Sequence, residues 1–147
     1  MKYLLAALTA STILAFTPAM AAGNGAPNYE KGTVWQSVEV QTKDGHFDQY
    51  MQWISTEWKA QEEALKKDGQ IVDYKVMIVT DPRYNEPDIL LLTEYKNMAA
   101  FDEPVAKEYA MAEKLFGPLA KMNKEQADRA SIRTVMGTTL MREVKLK

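Results

Sequence analysis

Between residues 33 and 67 the spacing of apolar side chains changes from two to between three and four, and no other feature limits the possible folds as much. In "TVWQSVEVQT", residues 33 to 42, Val34, Val38 and Val40 fall on one face. Trp35, Ser37, Glu39 and Gln41 fall on the other, which is the alternation of a strand. Lys43-Asp44-Gly45 turns the chain. From His46 to about Lys67, Phe47, Tyr50, Met51, Ile54, Trp58 and Leu65 then recur at helical steps and form one apolar stripe. Glu57, Lys59, Glu62, Glu63, Lys66 and Lys67 occupy the rest of the circumference. Lysines in the last turn suit the helix dipole, and Gly69 is placed to end the helix. A strand followed at once by an amphipathic helix must bury the helix stripe against the sheet.

The rest of the chain extends this pattern. "IVDYKVMIVT", residues 71 to 80, alternates as a second strand, and the loop "DPRYNEPD", residues 81 to 88, carries two prolines. "ILLLTEY", residues 89 to 95, is apolar on both faces for four residues, as a central strand covered on both sides would be. Asn97 can cap a helix starting at Met98. Pro104 and Gly117-Pro118 interrupt that helix, and it resumes from Leu119 to about Ala130. "RTVMGTTLMREVKL", residues 133 to 146, is a fourth, β-branched strand. Strand, helix, strand, strand, helix, strand is the ferredoxin-like split βαβ order, an α+β antiparallel sheet with its helices on one face. The expected register puts Trp35, Leu90, Leu92, Met77, Val79, Met136 and Leu140 on the uncovered face, together with Glu39, Lys75, Glu94 and Arg142. An exposed apolar area of that size calls for a partner, and the simplest is a second copy, making a homodimer through the sheet face.

The first 22 residues stand apart. "MKYLLAALTASTILAFTPAMAA" has one charge, Lys2, then an apolar run from Tyr3 to Phe16, then small residues ending in Ala19-Met20-Ala21. This is the pattern of a cleaved secretory signal peptide. The run is shorter than the ~20 residues of a membrane-spanning helix and is broken by Pro18. Export to the periplasm or the medium is therefore expected, with no membrane span after cleavage. Residues 23–32, "GNGAPNYEKG", read as a flexible lead-in, and residues 33–147 as one domain. Losing Lys2 takes the formal net charge from −2 to −3. That mild acidity offers no electrostatic reason to bind nucleic acid. The chain has no cysteine and one histidine, which excludes disulfides, thiol nucleophiles and any multi-histidine metal site within one subunit.

Two joints, "KKDGQIVDYKVM" and "LLLTEYKNMAAFDE", resemble those of the dimeric α/β-barrel superfamily, among them the antibiotic-biosynthesis monooxygenases. The resemblance covers most of residues 33 to 146. It implies two ferredoxin-like units paired into a barrel, with a ligand cavity between sheet and helices. One branch of the superfamily consists of cofactor-free monooxygenases acting on aromatic polyketides, and another binds or degrades haem. Haem-handling members carry a ligand histidine on or near the second helix. "VAKEYAMAEKLF", residues 105 to 116, offers Lys107 and Tyr109 instead, and the one histidine, His46, begins the first helix. The resemblance therefore implies no haem, and no cofactor or metal is expected.

The candidate site residues follow from the open sheet face. Trp35, Glu39, Lys75, Glu94 and Arg142 would converge as a ligand-binding group, mixing an aromatic with a few charges as small-molecule pockets do. His46, the only imidazole, is the candidate general base; its alternative is an exposed first-turn residue. The functional expectation is an exported binder of a small apolar or aromatic molecule. The alternatives are a cofactor-independent monooxygenase-like enzyme and a cell-envelope protein-interaction module without catalytic activity.

Overall fold

Four strands make one antiparallel sheet in the order β2-β3-β1-β4. The computed structural model describes residues 27–147, so the signal-peptide reading lies outside the described residues. The strands are β1 (Tyr29–Thr42), β2 (Asp73–Ile78), β3 (Ile89–Tyr95) and β4 (Arg133–Leu146). The two long strands, β1 and β4, pair along most of their length, while β3 sits between β1 and β2. β1 begins four residues before the expected strand, inside the segment read as a flexible lead-in. There Tyr29, Glu30 and Lys31 pair with Leu146, Lys145 and Val144. The register shifts just after Lys31, at Gly32, where a Cβ would come within 3.1 Å of the Glu143 Cβ. The smallest residue in the chain permits that close approach.

Three helices cover one face of the sheet. α1 is a continuous helix over residues 47–67, built from Phe47–Trp53, a π-helical segment Ile54–Trp58, and Lys59–Lys67. A 3-10 turn, Met98–Phe101, is capped by the Asn97 side chain, which accepts from the Ala99 N–H. α2 (Val105–Phe116) follows Pro104, and α3 (Leu119–Arg129) follows Pro118. Proline fixes φ and lacks an N–H, so it fits the start of a helix and not its interior. The core lies between α1 and the sheet. Tyr50, Ile54 and Trp58 from the α1 stripe are buried with Val40, Ile89, Leu91 and Ile132. α2 and α3 have no fully buried residue and pack more loosely on the outside.

The π segment alters α1 in a way periodicity does not show. The Lys59 N–H bonds the Ile54 carbonyl, a five-residue step. The Ser55 and Thr56 hydroxyls both donate to the Gln52 carbonyl at 2.9 Å. With this wide turn, Ile54 and Trp58 both stay buried, and so does Glu62 one turn later.

Candidate functional site

A cavity of about 280 Å3 opens between the helical face of the sheet and the helices, at the end where α1 finishes. The sheet contributes Gln36 from β1 and Tyr95 from β3. Leu65, Gln70 and Ile71 come from the end of α1 and the turn after it. Phe101 and Glu103 come from the 3-10 turn and its exit, and Glu108 and Met111 from the inner side of α2. Because α2 packs loosely and the chain crosses from β3 to α2 over this end, a space remains where a tighter second helix would fill it. The Tyr95 and Phe101 rings pack at 4.7 Å, tilted by 57°, and the Tyr95 hydroxyl donates to Gln36 Oε1 at 3.3 Å. The wall is largely apolar and aromatic, with amide and carboxylate groups at a few points. That is the composition of a site for a small, partly aromatic molecule.

Next to this cavity lies a buried carboxyl. Glu62 is only 7% exposed, on the inward side of α1, and accepts a hydrogen bond from the Thr93 hydroxyl at 3.1 Å. Thr93 is the β3 residue opposite Gln36 and two before Tyr95, so the three polar groups occupy neighbouring positions on one face. Burial pushes the Glu62 carboxyl up to about 7, and the Thr93 hydrogen bond offsets only part of that. The Tyr95 phenol is also raised, first by its own burial and then by the nearby Glu62 charge. A carboxyl that titrates near neutrality can carry a proton to or from a bound molecule. Among the described residues, no group of three His, Cys, Asp or Glu side chains is placed to hold a metal ion. No described helix is long and apolar enough to cross a membrane.

The residues singled out from the sequence lie elsewhere. Trp35, Glu39, Lys75 and Glu94 are on the opposite, uncovered face of the sheet and do not line the cavity. The register gives the reason. Trp35 pairs with Glu94, Glu39 with Leu90 and Lys75 with Leu92, all out of phase with Gln36, Thr93 and Tyr95. On that face the Lys75 ammonium stands 4.6 Å from the Trp35 ring centre. β3 separates the strands that carry them, so the two side chains meet above β3. Leu92 and Ser37 beneath them are 8% and 3% exposed. Glu39 accepts from the Thr139 hydroxyl at 2.7 Å.

Arg142 is not among this group. A bulge at Met136, where Glu39 pairs with Gly137 but Val40 with Val135, shifts the phase of β4. Arg142 therefore stands opposite Val34, and Leu140 opposite Gln36, on the helical face. His46 precedes α1 without capping it, and its Nδ1 lies 2.9 Å from Gln49 Oε1. It borders a shallow groove with Tyr84 and Asn85, remote from the cavity.

Sequence reasoning missed Glu62 and the cavity wall. A signal for Glu62 was present: Ile54, Trp58 and Glu62 follow at four-residue steps, so Glu62 fills the gap in the apolar stripe between Trp58 and Leu65. Nothing local marks Gln36, Phe101 or Met111, which come together only when the elements pack.

One solved structure supports the topology just described. HapK from Hahella chejuensis matches over 75% of this chain and 91% of its own, with a TM-score of 0.50 and 12% identity. The fold is ferredoxin-like. A dimeric ferredoxin-like protein from an uncultured marine organism aligns over 78% of this chain and 97% of its own, with a TM-score of 0.43 and 14% identity. No protein-family model and no curated protein sequence matches the chain.

Proposed function

We propose that this ferredoxin-like chain is an exported small-molecule-binding protein that pairs into a dimeric α/β barrel and holds a small apolar or aromatic ligand in the cavity of each subunit. The cavity carries this reading. It is concave, walled by Leu65, Ile71, Phe101, Tyr95 and Met111, and has Gln36 and Glu108 at points where a ligand's polar group would be oriented. Pairing is supported by the uncovered face, where Met77 and Met141 are exposed beside Leu90 and Trp35 with no helix above them. Export rests on the charged, apolar and small-residue pattern of the first 22 residues.

The test is a titration followed by methyl spectra of the protein labelled at Met, Leu and Ile, with indole as the aromatic probe. The Met111, Leu65 and Ile71 methyls should shift together and saturate, while Met77 and Leu92 on the uncovered face stay still. Shifts confined to Met77, Leu90 and Leu92 would move the ligand to the sheet face and end the cavity reading.

Glu62 favours a second reading, a cofactor-independent enzyme in which this carboxyl accepts a proton from the bound molecule. In that case Glu62→Gln leaves indole binding in place and abolishes turnover.

A further inference from the structure

The charges around the cavity are of one sign. Its polar wall consists of Gln36, Gln70, Tyr95, Glu103 and Glu108, and among the described residues no lysine, arginine or histidine lines it. The lysines close to the wall in sequence are engaged elsewhere or stand outside it. Lys66, next to Leu65, is bound to Asp73 at 2.8 Å, and Lys107, next to Glu108, to Glu103 at 2.7 Å. Lys114, one turn beyond Met111 on α2, lies 3.5 Å from Asp68. Lys96, beside Tyr95, is exposed and is not part of the wall. Lys107 thus offsets the Glu103 charge, whereas Glu108 belongs to no ion pair among the described residues.

The neutral groups mostly present acceptors as well. The Gln70 amide nitrogen donates to Asp68 at 3.2 Å, which leaves its carbonyl oxygen for a ligand. The Tyr95 hydroxyl gives its hydrogen to Gln36 Oε1, so the phenol oxygen keeps its lone pairs as acceptors. The Gln36 amide nitrogen remains as a donor. Behind the wall, the charge of buried Glu62 reaches the Tyr95 phenol and adds to the rise caused by burial. The Tyr95 and Phe101 rings, 4.7 Å apart and tilted by 57°, make a corner whose electron-rich faces attract a cation. A carboxylate ligand would meet acceptors, an unpaired carboxylate and these ring faces, and its own charge would stay unmatched. An ammonium is attracted by all three.

We propose that the ligand of this cavity is an amine bound as its ammonium, with its apolar or aromatic body on Leu65, Ile71 and Met111 and its positive nitrogen between the Tyr95–Phe101 corner and Glu108. This assignment rests on the cavity being the ligand site and adds the sign of the ligand's charge. Glu108 supplies the Coulomb attraction, and the two rings supply attraction that water screens less.

The experiment uses three probes that share an indole ring and differ in charge: tryptamine, indole and indole-3-acetate. Each is titrated into the full protein at neutral pH and low salt, and the Met111, Leu65 and Ile71 methyl signals report binding. Tryptamine should bind roughly tenfold more tightly than indole, and indole-3-acetate more weakly than either. Glu108→Gln, at an exposed position of α2, should narrow the preference for tryptamine over indole by roughly fivefold. Phe101→Leu keeps an apolar wall, removes the ring and should narrow it as well. Glu57→Gln removes the same charge from an exposed position outside the cavity and should leave the preference intact, which controls for the overall acidity of the chain. Equal affinities for the three probes, tighter binding of indole-3-acetate, an undiminished preference in Glu108→Gln, or an equal loss in Glu57→Gln would overturn the amine assignment and leave the cavity as the ligand site. No saturable shift with any probe would overturn both.

Discussion

Glu62 is a carboxyl where α1 turns its apolar side to the sheet, and its behaviour with pH follows from that placement. Its folded value, about 7, lies above its usual value of 4.5. The folded state therefore keeps the proton over a range in which the unfolded chain releases it. Stability from this group is fully present below about pH 4.5, falls as pH rises to about 7, and stays level above that. The total change is about 3 kcal/mol at most. Glu62→Gln mimics the protonated form, so it should flatten that slope and stabilise the protein by about 2 kcal/mol above pH 7. Urea unfolding at a series of pH values measures both, and an unchanged slope in the variant would show that another group is responsible. Tyr50, 1% exposed among Ile54, Trp58 and Ile89, should cost about 3–5 kcal/mol when replaced by alanine, read in the same titration. The burial of Tyr50 was legible in the sequence because it shares the stripe of Phe47 and Ile54. The burial of Glu62 was harder to read, since a charged residue is normally assigned to the wet face unless the gap it leaves in the stripe is weighed.

At the scale of elements, local chemistry carried most of the information. Asn97, Pro104, Gly117-Pro118 and the β-branched run after Arg133 stand at the ends of their elements, because capping and φ restriction act within a few residues. Gly69 ends α1 with φ at +78° and open space around it. Gly69→Ala should therefore cost about 1 kcal/mol from backbone strain alone, visible as a drop in urea midpoint at unchanged m-value. The π segment Ile54–Trp58 was not legible, since a wide turn leaves apolar residues at steps of four, as an α-helix also can. Nor was the bulge at Met136, which moves Arg142 and Leu140 to the other face of the sheet. A one-residue change in register inverts every later side chain of a strand, and only pairing with β1 reveals it. Deleting Ser55, an exposed residue of the π segment, should close the wide turn to ordinary helix spacing. Tyr50, Ile54, Trp58 and Glu62 would then follow at steps of four, three and four and stay on one face, so the variant should fold and hydrogen exchange of α1 should not quicken.

For the whole molecule, the two faces of the sheet differ. The helical face holds the cavity. The other presents Met77, Leu90 and Met141 around the Trp35–Lys75 contact and has no cover of its own. The division into a covered and an uncovered face was readable from alternation in β1 and β3; Trp35, Glu39, Lys75 and Glu94 stand on the uncovered face as expected, away from the cavity, and only Arg142 does not. Charges on that face drew attention, whereas the cavity is walled by residues that look like ordinary core until the loose packing of α2 is seen. If two copies join through this face, Leu90→Lys places a charge at the centre of the junction and should yield a folded monomer. The most direct measurement is native mass spectrometry of the protein purified from cells that express the full sequence, without added ligand. A dimer carrying excess mass equal to one small molecule per subunit is the predicted result. A bare monomer would contradict both the pairing of the sheets and the binding role assigned to the cavity.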